Sequence, residues 1–119
     1  MTLDTLLEEH GVIAAWRWTR REGEKPAATE TAGAIPRELA GLGALYMEMM
    51  IRGADSECML LDERTPGGGF FPARMAVVGG TRLVVLGTPN GVAVSMDPDK
   101  RPDLWRIGRL MREIGKETK

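Results

Sequence analysis

Histidine and cysteine each occur once in this chain, as His10 and Cys58. One cysteine excludes an internal disulfide, and neither residue has a partner at metal-ligand spacing. A serine or cysteine nucleophile would have a single histidine to call on, and nothing in the chain order brings Cys58 to His10. Aromatic side chains are 5% of the residues, and the only two phenylalanines, Phe70 and Phe71, fall side by side. Neither sign of charge is in excess. Sixteen Lys and Arg against 17 Asp and Glu give a formal charge of -1, without the basic surface that nucleic acid or an anionic membrane attracts. No apolar run approaches the roughly 20 residues of a membrane-spanning helix. The opening MTLDTLLEE carries acids where a secretory signal is basic. These absences predict a cytoplasmic, non-enzymatic protein with no cofactor, no metal, no nucleic-acid partner and no membrane insertion.

What is present predicts one domain. At 119 residues, 43% hydrophobic and 28% charged, the chain has material for a single core. Thr2 to His10 reads as a short helix with Leu3, Leu6 and Leu7 on one face, closed by Gly11. Val12 to Thr19 reads as a strand, placing Trp16 and Trp18 on one side with Val12 and Ala14, and Ile13 and Ala15 on the other. A weaker strand spans Ala27 to Thr31. Pro36 to Ala54 is the main helix, with Gly53 near its end. Leu39, Leu42, Tyr46, Met49 and Met50 form one apolar face; Ala40, Gly43, Ala44, Met47 and Ile51 form a second. A helix apolar on two sides needs two burial partners, and in a small domain one can be a second subunit. Cys58 to Glu63 reads as a strand, followed by strands at Arg74 to Val78, Thr81 to Leu86 and Val92 to Met96. Gly79-Gly80 and Pro89-Asn90-Gly91 mark the turns between them. A terminal helix spans Asp103 to Ile114. Short turns between strands imply an antiparallel sheet, and helices on its faces make an α+β sandwich.

The stretch TPGGGFFPAR, 65 to 74, has the glycine content of a phosphate loop. It lacks the Lys-Ser/Thr pair and the following helix that such a loop requires. Gly67, Gly68 and Gly69 are expected to supply positive φ in a hairpin loop. Phe70 and Phe71 either fold back onto the sheet edge or form an exposed patch. In the second case Gly68, Phe70, Phe71 and Arg74 are the candidate partner contact. The carboxylates at Asp4, Glu8, Glu9, Asp55, Glu57, Asp62 and Glu63 sit at element ends, where capping and solvation account for them. Trp16, Trp18 and Trp105 are expected to pack where the terminal helix meets the first strand; the alternative is a stacking site that would make the protein a small-molecule sensor.

The opening MTLDTLLEEHGVIAAW, the Met-rich helix ELAGLGALYMEMMIRGA and the strands CMLLDE, RMAVVGG and TRLVVLG together resemble the roadblock/dynein light chain family, in a small bacterial branch of unassigned function. The resemblance runs from Thr2 to about Val94. It implies a roadblock-like α/β/α sandwich of the profilin/longin type that homodimerises, central helix against central helix, with the strand after that helix pairing with its mate. On this sequence those positions are Leu39 to Ile51 and Cys58 to Asp62. Leu39, Gly43, Met47, Met50, Ile51, Met59 and Leu61 are then the expected dimer contacts. The resemblance also implies an adaptor whose partner is another protein, a small Ras-like GTPase among the candidates, and no catalytic residue.

Overall fold

A computed structural model describes residues 2–19, 23, 25–35, 37–65, 67–69 and 72–117, with side chains except at 37–40 and 115–117. The elements run α1 (Leu3–Leu7), β1 (Val12–Trp18), β2 (Ala28–Gly33), α2 (Arg37–Arg64), β3 (Ala76–Gly79), β4 (Val84–Thr88), β5 (Val92–Met96), a single 3-10 turn (Pro98–Lys100) and α3 (Leu104–Glu117). The strands form one antiparallel sheet in the order β2-β1-β5-β4-β3. The expected α+β architecture, a central antiparallel sheet with helices on both faces, is the one observed.

Strand alternation sorts the core into two layers. Ala15, Leu86, Val92, Val94 and Met96 face α1 and α3, meeting Leu3, Leu6, Ile107, Met111 and Ile114. Trp16, Trp18, Ala76 and Ala93 face α2, meeting Ala44, Met47 and Ile51. Val12 joins the α1/α3 layer rather than that of Trp16. The cause is a bulge: Val12 pairs with Met96 but Ala14 with Ser95, so one extra residue on β1 reverses the alternation. Trp16 and Trp18 therefore lie beneath α2, not beneath the terminal helix.

The main correction concerns Cys58 to Glu63, which is not a strand. Helix α2 runs unbroken for 28 residues to Arg64. Residues 52 to 64, RGADSECMLLDER, include no β-branched or aromatic side chain, so nothing in them favours a pleated strand. Leu, Met, Glu and Arg are good helix formers, and Gly53 sits inside the helix rather than at its end. The glycine stretch consequently joins a helix to a strand and is no hairpin loop. Within it, Gly67 (φ 81°) and Gly69 (φ 72°) are left-handed as expected, but Gly68 is not. The β3–β4 connection is also longer than two residues. It spans 80 to 83, closed by the Gly80 N–H donating to the Leu83 carbonyl at 2.8 Å. The Pro89–Gly91 turn forms where predicted, and Asn90 Nδ2 donates to the Met111 carbonyl at 2.9 Å, fixing the turn to α3. At the other end, His10 Nε2 donates to the Lys100 carbonyl at 2.7 Å, holding the end of the α1 segment to the 3-10 turn.

Candidate functional site

Helix α2 has two unlike faces, and the inner one is built for close approach. Gly43 lies on Trp16: a Cβ there would meet the indole at 3.3 Å. Ala44 is fully buried, and the Met47 side chain lies over Gly87 of β4, whose missing Cβ leaves the space that the Met47 methyl occupies. Small residues on the helix thus face large indoles on the sheet, and a glycine on the sheet faces a methionine on the helix. Beside them Glu48, only 4% exposed, accepts from Trp18 Nε1 at 2.9 Å and from Arg52 Nε at 3.0 Å. A buried carboxylate used in this way positions an indole and a helix. Glu48→Ala strands the Trp18 N–H and is expected to lower stability by about 2 kcal/mol, whereas Glu48→Gln, which keeps an acceptor, should lower it by about half as much. Urea denaturation followed by tryptophan fluorescence checks the difference.

The outer face carries Leu42 (65% exposed), Leu45, Tyr46 and Met49 (65% exposed), spaced at three and four residues. Gly53 and Ser56 continue the same line, and Leu60 resumes it, flanked by the exposed Met59 and Leu61. A Cβ at Gly53 would meet nothing within 4 Å, and the same holds at Gly41. Each glycine costs about 1 kcal/mol of helix propensity against alanine, and nothing in the packing of the described residues requires either. A hollow of about 220 Å³ opens alongside, lined by Trp16, Ile35, Tyr46, Leu83 and Val85. Trp16 Nε1 is buried there with no hydrogen-bond partner among the described residues.

The residues expected at a dimer contact divide between these faces. Gly43, Met47 and Ile51 turn inward onto the protomer's own sheet, and Met50 is half-buried against the same core. Met59 and Leu61 are exposed. The Leu39 side chain lies outside the described residues. The outward Leu42, Leu45, Tyr46, Met49 and Leu60 were not among the expected contacts. Three of them belonged to a recognised apolar face, but periodicity alone gives two faces without saying which meets the sheet. Cys58 to Asp62, expected to pair with its mate as a strand, is helical; the strand that follows α2 is β3, which has one neighbour and forms a sheet edge. Of the expected partner contact, Gly68 and Arg74 are exposed; Phe70 and Phe71 lie outside the described residues. The three tryptophans do not come together. Trp16 and Trp18 are buried under α2, while Trp105 is 75% exposed on α3, across the sheet. A stacking site shared by the three is therefore not formed.

No group of three or more metal-ligating side chains occurs among the described residues, and no described helix is long and apolar enough to cross a membrane. No family model matches the sequence, and no curated protein does. The structure is similar to a solved one, the crystal structure of a Roadblock/LC7 domain from Streptomyces avermitilis, with a TM-score of 0.67 over 98% of this chain and 94% of that chain at 17% identity. The chain has a roadblock-like fold.

Proposed function

We propose that this protein is a non-catalytic, homodimeric adaptor: two copies meet through the outer faces of α2, and the assembled dimer binds another protein. The outward apolar stripe carries this reading. Leu42, Tyr46 and Met49 are exposed at helical spacing, in line with a glycine that the protomer does not itself need. A second α2 seated on that stripe would cover the apolar side chains, place its backbone close at Gly53 and fill the hollow beside Trp16. The unpaired edge of β3 offers a place for the sheet to continue between copies. The partner we favour is a small Ras-like GTPase, met through the α2–β3 connection on either side of Gly68 and Arg74, in a cytoplasmic setting. The use of Glu48 in packing supports a role without catalysis.

Light scattering after gel filtration tests the assembly. The chain mass is 13.0 kDa, so the parent is expected at about twice that value. Met49→Asp places an unpaired charge in the contact and should weaken association about a hundredfold or more, leaving a folded monomer. A parent protein that elutes as a monomer at high micromolar concentration would sink the reading.

A further inference from the structure

A second concavity lies on the other side of the molecule, between the C-terminal half of α2, the segment before β3, and α3. It encloses about 630 Å³, within the range of about 300–1,000 Å³ usual for small-molecule sites. Arg74, Arg109 and Arg112 all line it, as does Trp105. No carboxylate is among the described residues that line it. Asp55, close by, accepts from the Ala73 N–H at 3.0 Å and so anchors the segment that carries Arg74. Three arginines around one cleft are a local concentration of charge in a chain whose formal total is -1.

Two further features distinguish the cleft from an ordinary basic surface. Arg112 Nη1 is buried without a hydrogen-bond partner among the described residues. That guanidinium has already lost part of its water, so a counter-anion in the cleft would gain more from it than from a fully solvated charge. Gly108 lies beneath the cleft wall: a Cβ there would crowd the Met75 methyl at 2.8 Å. Trp105 is the second feature. Most tryptophans in folded proteins are largely buried, but this one stands 75% exposed at the cleft beside the arginines, with a free aromatic face on which a planar ring can stack.

We infer that the cleft binds a phosphate monoester carrying a planar ring, the chemistry of a nucleoside monophosphate. The arginines hold the phosphate and Trp105 stacks on the ring. This site is separate from the α2 stripe and does not depend on the adaptor reading. Isothermal titration of the full chain with adenosine monophosphate, run beside adenosine and beside inorganic phosphate, tests it. Adenosine monophosphate is expected to bind saturably and quench tryptophan emission, and each fragment alone should bind about tenfold more weakly or worse. Arg109→Ala and Trp105→Ala replace exposed side chains and leave the core untouched. Each should weaken binding about tenfold with an unchanged thermal midpoint. No saturable heat at millimolar adenosine monophosphate would overturn the inference. So would equal affinity for adenosine or for phosphate alone, or undiminished binding by both variants.

Discussion

Met47→Asp is expected to unfold the protomer rather than to separate one copy from another. Met47 is 0% exposed, and its methyl occupies the space left by the missing Cβ of Gly87. An aspartate there leaves a cavity between helix and sheet and buries a carboxylate among Trp16, Ala44 and Ala93. The expected loss is about 4 kcal/mol or more, a large share of the 5–15 kcal/mol that holds a typical domain together. Ile51→Asp, 1% exposed one turn on, should behave alike. Met49→Asp supplies the contrast: it lies two residues from Met47 but points away from the sheet, and should keep the circular dichroism of the parent. Guanidinium denaturation of the Met47 variant decides the matter. A cooperative transition within about 1 kcal/mol of the parent would mean that α2 does not present this face to the sheet.

Gly33→Ala should be nearly as damaging, although it adds one methyl group at an exposed position. Gly33 has φ of 83°, and a Cβ there would stand 2.5 Å from the Ile13 carbonyl oxygen and 2.9 Å from a Leu7 methyl. The oxygen belongs to the neighbouring strand's backbone and cannot swing aside as a side-chain end can. Strain in the left-handed region and overpacking together amount to roughly 2–5 kcal/mol. Gly53→Ala, with open space at its Cβ and a right-handed helical backbone, should instead stabilise the helix by up to about 1 kcal/mol in a monomer. Thermal melts of the two variants should therefore move in opposite directions.

Most of the fold was legible in the sequence. The α+β class, the order of elements apart from the strand expected at Cys58 to Glu63, and the β4–β5 turn followed from periodicity and from glycine placement. The resemblance to the roadblock family agrees with the observed fold. The failures have physical causes. The run CMLLDE is too short for its apolar pattern to tell helix from strand, and the absence of β-branched residues around it was the better guide. A bulge between Val12 and Ala14 changed the side on which Val12 packs, and a bulge leaves no trace in an alternating pattern. Of the candidate site, the existence of two apolar faces on α2 was legible, but their assignment was not. The usable clue was volume. Gly43 and Ala44 lie on the face that must approach two tryptophans, while Leu42, Tyr46 and Met49 are too bulky to do so. Trp105 was expected inside because tryptophan usually is, and its exposure becomes visible only once α3 is set on the sheet by Ile107, Met111 and Ile114.

The strand order has a consequence for how the chain reaches its folded state. The sheet's centre is the pairing of β1 with β5, in which Trp16 lies opposite Ala93, far apart along the polypeptide. The β3–β4 and β4–β5 hairpins are local and can zip up by themselves. The central seam closes only when a loop holding most of the sequence has been drawn in, a step that is slow for entropic reasons. During synthesis β1 and β2 emerge early and must wait as an isolated ribbon, with the two indoles of β1 uncovered until α2 settles on them and β5 arrives. The mature core is thus assembled last at its middle, and the indoles of β1 are the surface most in need of shielding in the nascent chain.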